Sequence, residues 1–252
     1  MAGHSHSANI QFRKDRVDSK RAKHFAKLSR MLTVAARQGG GSADGNPRLR
    51  LALDKARVAS MSKEAIERAI RKGTGEADTE NWEEFVYEGY GPGGVAVMLE
   101  ILTNNRNRTA PDVRRLLEDH GGNLAANGSV GWMFERRGIF QVDPSAGLGE
   151  DQLTELVLDV GADDLVRAGD GFAIHCALGQ FAGVRGALEQ RQIALRGVEL
   201  AYWPKQRTVV ADLALARRVV HLLEALDDCD DVQSVHSNEE FTDAVAKGLE
   251  AP

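Results

Sequence analysis

Cysteine is scarce. The only two in 252 residues, Cys176 and Cys229, lie far apart and outside any Cys-x-x-Cys pair, which excludes a disulfide framework and a thiolate metal site. Long apolar runs are absent: none approaches the ~18 residues that span a bilayer. The amino-terminal residues carry charge where a secretory signal needs an apolar core, so the expected location is the cytoplasm, with no membrane partner. Seven histidines are scattered without metal-ligand spacing, and the acidic "DDCDD" at 227–231 lacks the alternating ligands and terminal Glu of a calcium loop. That stretch is expected to be a solvated helix exit. No GK[ST], GxSxG or HExxH occurs, so no catalytic residue, metal or cofactor is expected, and the chain is read as a non-enzyme.

What the sequence has is charge, unevenly divided. Residues 1–72 hold 17 Lys and Arg against 6 Asp and Glu, whereas the remainder holds 15 against 31, within an overall charge of -5. Such a split suggests a polyanion-binding module joined to acidic domains. The alternative is that the two parts dock and neutralise one another, although surface ion pairs contribute only ~0 to 1 kcal/mol each. Six of the fourteen residues in "FRKDRVDSKRAKHF", positions 12–25, are Lys or Arg.

Residues 1–17 lack periodicity and predict a flexible basic arm. Three helices are expected within 18–76. The first, running to about Gln38, places Phe25, Leu28, Leu32, Ala35 and Ala36 on a core face and Lys20, Lys23, Lys27, Arg30 and Arg37 opposite. Asn46 and Pro47 open the second. Ser62 caps the third, Met61 staples onto Ile66, and Gly73 ends it. From there the pattern changes to strand, Gly/Pro turn and strand through "GYGPGG", which is a hairpin turn and not a phosphate loop because no helix follows it. A helix capped by Thr109 and a strand over "SVGWMFE" come next. Residues 136–204 then follow the βαββαβ order of a ferredoxin-like unit. A helix at 212–226 and a strand over "DVQSVHS" need a sheet to join. The fold class is therefore α+β and multidomain: a helical bundle at 18–76, an α+β middle domain from 77–135 plus 205–240, the ferredoxin-like domain inserted at 136–204, and a tail at 241–252.

Candidate phosphate contacts are Arg13, Lys14, Arg16, Lys20, Lys23, Lys27 and Arg30, with Arg37 on the same helix face. A one-signed face that continues into an unpatterned arm suits a partner that orders the arm on arrival. Within "TNNRNRT", Arg106 and Arg108 sit just before the Thr109 cap, where the helix dipole disfavours cations. They need a negative partner, which is either a nearby acid such as Glu83, Glu84 or Glu88, or a bound phosphate.

Several stretches, among them "NPRLRLALDKA", "YEGYGPGGVAV", "LTNNRNRTAPDVR" and "GGNLAANGSVGWMF", resemble the YebC/PmpR family. The resemblance is dense over about the first 140 residues and looser beyond. It implies three domains, with the ferredoxin-like one inserted, and no enzymatic activity. It also implies a DNA-binding transcriptional regulator or, as in other members, a translational activator at the ribosome. After "MAGHS" the family usually has Lys and Trp, where this chain has His6 and Ser7. The expected function is a nucleic-acid-binding regulator of gene expression, with DNA favoured by the resemblance and ribosomal RNA by the charge pattern. A protein-binding adaptor using the acidic domains is the remaining alternative.

Overall fold

A computed structural model describes residues 21–75 and 81–250. Helices α1 (Arg21–Gly39), α2 (Pro47–Val58) and α3 (Lys63–Thr74) make the amino-terminal unit. Asn46 caps α2 by accepting the Leu49 N–H at 3.0 Å, and its amide donates to the carbonyls of Ala35 and Gly40, so one side chain ties two helix ends together. Leu28, Leu32, Leu49, Ala56, Met61 and Ile66 fill the core between the helices. Gly73 does not end α3, which continues to Thr74 and is capped by Gly75. It is needed for close packing, because a Cβ there would stand 2.1 Å from the Thr33 carbonyl oxygen.

The first sheet pairs β1 (Glu83–Tyr90) with β2 (Ala96–Thr103) in antiparallel register across the expected turn, where Gly93 and Gly94 have φ of 72° and 75°. Both angles lie in the region that glycine enters without steric cost. The two-residue β3 (Asn123–Leu124) edges β1, and β9 (Val232–Ser237) lies against the far side of β2. The trailing strand thus finds the sheet it needed. Helices α4 (Arg106–Asp119) and α7 (Leu213–Asp227) pack Val113, Leu117, Val219 and Leu222 onto Val97, Leu99 and Ile101.

The second sheet follows β4 (Phe134–Val142), α5 (Glu150–Val160), β5 (Asp164–Ala168), β6 (Gly171–Ala177), α6 (Phe181–Gln190) and β7 (Leu195–Pro204). Its strand order, β5-β6-β4-β7 and antiparallel throughout, is the ferredoxin-like arrangement. It is inserted between β3 and β9 of the first sheet. The strand expected over "SVGWMFE" is not separate, because β4 starts at Phe134 and runs unbroken to Val142. The Glu88 carboxylate explains this: it takes the N–H groups of Gly128, Val130 and Gly131, which a strand would spend on its neighbour.

Two features had no sequence signal. Strands β8 (Thr208–Val210) and β10 (Glu239–Phe241) pair in parallel, and α8 (Asp243–Glu250) occupies what was expected to be a tail, burying Val245 in the first sheet's core. Among the described residues, no helix is long and apolar enough to cross a membrane, and no group of three or more His, Cys, Asp or Glu is placed to hold a metal ion.

Candidate nucleic-acid interface

The segment "TNNRNRT" folds differently from its sequence reading. Asn105, not Thr109, caps α4 by accepting the Arg108 N–H at 3.1 Å, so the helix begins four residues earlier. Arg106 and Arg108 therefore lie inside the first turn, where unpaired N–H groups make extra cations unfavourable. Both are compensated from within the protein. Arg106 lies with its guanidinium carbon 4.7 Å from the Phe85 ring centre, and Arg108 Nη2 bonds Asp231 Oδ2 at 2.9 Å. The acid that answers Arg108 is thus none of the three nearest in sequence.

Asp231 is a buried hub and not part of a solvated helix exit. Its Oδ2 lies 2.8 Å from the Thr109 hydroxyl, which is 2.9 Å from the Thr103 hydroxyl. Burial opposes the charge on Asp231, but the hydrogen bonds from Arg108, Thr109 and Thr103 outweigh it and hold the carboxyl below the ordinary aspartate value. Thr109, lost as a cap, serves as an anchor joining α4, β2 and the loop before β9.

Helix α1 explains a second departure. Besides its core stripe it buries Lys27, Thr33 and Val34: the end of α7 and the loop after it cover Lys27, on the face that a helical wheel assigns to solvent, and α3 covers Thr33, whose hydroxyl donates to the Ala69 carbonyl at 3.1 Å. Lys27 donates to the Asp227 carbonyl, with Nζ 3.8 Å from the Asp227 carboxylate. Burial lowers the pKa of Lys27, and Asp227 resists the shift. Arg30 donates to the Asp230 carbonyl, stands 3.7 Å from the Asp231 carboxylate and lies over the Trp82 ring. Lys27 and Arg30 are therefore not displayed outward as expected, since the protein's own acids already hold them. Arg30 and Arg108 border a crevice of about 550 Å³ whose walls also carry Asp112, Asp228, Asp230 and Asp231. That balance of charge makes it an internal clamp and not a phosphate cleft.

Of the other expected contacts, Lys23 is exposed at the crevice rim, and Arg37 is half-buried in the last turn of α1. Arg13, Lys14, Arg16 and Lys20 fall outside the described residues. The sequence reading missed the outer face of α3, where Arg68, Arg71 and Lys72 are all exposed. Arg68 donates to the Glu64 carbonyl, and among the described residues none of Arg68, Arg71 and Lys72 has a carboxylate partner. The signal was present as spacing, since positions 68, 71 and 72 fall within about 100° of one another on a helix.

The elements just described correspond to known sequence segments. Residues 5–76 match the TACO1/YebC protein N-terminal domain, and residues 82–239 match the TACO1/YebC second and third domain. The chain belongs to the TACO1/YebC family. Among its relatives, a protein of Halothermothrix orenii is 46% identical over 250 residues, covering 99% of both chains. One of Pseudomonas syringae pv. tomato is 48% identical over 99% of this chain and all of its own. Both are named as probable transcriptional regulatory proteins. A crystal structure of a conserved hypothetical protein from Aquifex aeolicus superimposes with a TM-score of 0.82 at 41% identity, covering 90% of this chain and 93% of that one. For this TACO1/YebC chain the two matched segments take in the three helices and both sheets.

Proposed function

We propose that this TACO1/YebC protein is a nucleic-acid-binding regulator of gene expression that grips the phosphate backbone without reading base sequence. The names of the Halothermothrix and Pseudomonas relatives support the regulatory role. The observation that carries the binding role is the exposed strip Arg68, Arg71 and Lys72 on α3, with Arg21 and Lys23 exposed at the start of α1. In sequence this charge continues through Arg13, Lys14, Arg16 and Lys20. The exposed positions of α3 are Lys63, Glu64, Glu67, Arg68, Arg71, Lys72 and Thr74. They include no Asn or Gln of the kind that reads adenine edges, which favours positioning on phosphate over selection of sequence. Arg106, exposed over Phe85, is a weaker contributor. Lys27, Arg30 and Arg108 belong to the internal clamp.

Charge reversal of Arg68, Arg71 and Lys72 together should weaken binding to unrelated nucleic acids alike. The slope of log affinity against log salt should fall by roughly 2 to 3, at about 0.7 to 0.9 per lost contact. Gel shifts at graded salt measure both, and a loss confined to one DNA sequence overturns the reading. Backbone-only contact favours structured RNA, which is recognised largely by shape and phosphate position. The second reading is therefore a ribosome-bound translational activator. Ribosome co-sedimentation run beside duplex-DNA gel shifts in the same buffers separates the two.

A further inference from the structure

Trp132 stands 54% exposed although a tryptophan of this size ordinarily finds cover. Its ring is nonetheless fixed. The indole N–H donates to the Ser129 carbonyl at 3.0 Å, and the Tyr90 hydroxyl donates to that same oxygen at 3.1 Å. The loop beneath is held by the buried Glu88 carboxylate, which accepts the N–H groups of Gly128, Val130 and Gly131 at 2.7, 2.7 and 2.8 Å. Burial opposes the Glu88 charge, and those three bonds overcome it and depress the pKa. Met133, the next residue, is held through its carbonyl by the Lys205 N–H at 2.8 Å, which sets the exposed Lys205 beside the loop.

A buried carboxylate, a tyrosine hydroxyl and a strand pairing thus combine to immobilise an aromatic ring that the described residues leave more than half exposed. Ring order of this kind removes the entropy that a ligand would otherwise have to supply on binding. With its N–H already bonded, the indole offers a partner its π-face and no donor. The exposed residues around it, Ala126, Asn127 and Gly128, give no apolar core of the sort a protein interface builds around an aromatic anchor. Lys205 supplies a cation at the rim instead. We infer that Trp132 is a stacking platform for an unpaired base of single-stranded nucleic acid, with Lys205 meeting the adjoining phosphate. This rests on the nucleic-acid reading above and deepens it by adding a base-contacting site on the sheet domains, apart from α3.

The test compares the full chain with Trp132→Ala, Trp132→Phe and Lys205→Met, using a labelled uridine 20-mer, a thymidine 20-mer and inorganic polyphosphate, which has charge but no bases. Trp132→Ala should weaken oligonucleotide binding about tenfold, within the range of one lost base stack. It should leave the salt slope and polyphosphate binding unchanged, while Trp132→Phe keeps most of the affinity. Lys205→Met should instead lower the salt slope by about 0.7. The uridine and thymidine arms show whether RNA or DNA is the better occupant. Equal oligonucleotide binding by wild type and Trp132→Ala overturns the inference and points to a protein occupant; equal losses on oligonucleotide and polyphosphate overturn it too. A wild-type chain that binds none of the three probes sinks the parent reading as well, so the two failures are distinguishable.

Discussion

Lys23 and Lys27 are one turn apart on α1, yet one faces solvent and the other is 7% exposed beneath the α7–β9 loop. The same contrast holds between two regions: on the outer face of α3, Arg68, Arg71 and Lys72 have no carboxylate partner among the described residues, while the clamp at 227–231 consumes Lys27, Arg30 and Arg108. A cationic residue in a basic segment is therefore not automatically a ligand-binding residue. In the clamp, Lys27 and Arg30 join the helical unit to the first sheet and Arg108 braces that sheet's own loop, whereas those on α3 stay open to the phosphate contacts proposed above.

The largest effect should come from breaking the clamp at its hub. Asp231→Ala takes the shared acceptor from the Thr109 hydroxyl and the Arg108 guanidinium at a buried position; discounted for the half-exposed side chain of Arg108, the loss should be about 3 kcal/mol in a denaturant melt. Polyanion affinity of the folded variant should not fall. A buried titrating group of the second sheet shows the same behaviour through pH. His175, packed edge-on to Trp203 at 4.4 Å, is pushed down to about 4 by burial and by the nearby Arg137 and Arg207. The unfolded chain takes up a proton near 6.5 that the fold refuses until about 4. Stability is therefore full above 6.5 and falls as pH drops through that window, by about 2 to 3 kcal/mol in all. His175→Gln should flatten that part of the stability–pH curve measured by thermal melts. The smallest effects sharpen the contrast on α1 itself. Lys27→Met should cost about 1 kcal/mol, for one lost hydrogen bond, and leave the salt slope of nucleic-acid binding intact. Lys23→Met should leave stability alone and lower that slope by about 0.7 to 0.9. If the two lysines exchange these outcomes, the division between clamp and interface is wrong.

Much of the fold was legible because its signals are local. Asn46-Pro47 and Ser62 start helices by satisfying N–H groups within the next turn, and the glycines at 93 and 94 turn a hairpin through angles that other residues avoid. The βαββαβ order emerged from alternation of periods. Thr109 misled because a hydroxyl able to cap a helix is equally able to hold a buried aspartate 122 residues away. The strand at 129–135 misled because Glu88 reaches across from β1 to take its N–H groups. Helix α8 was passed over although its cover is a core assembled from distant strands.

By itself the sequence determined which segments turn, coil or extend, and that positive charge concentrates at the amino end, since propensity, capping and periodicity act over a few residues. Only the tertiary structure decided which of those charges remain available. Whether a lysine meets water or an aspartate two hundred residues later depends on how helices and sheets pack, and helical periodicity on α1 carries no information about what will lie against its second face.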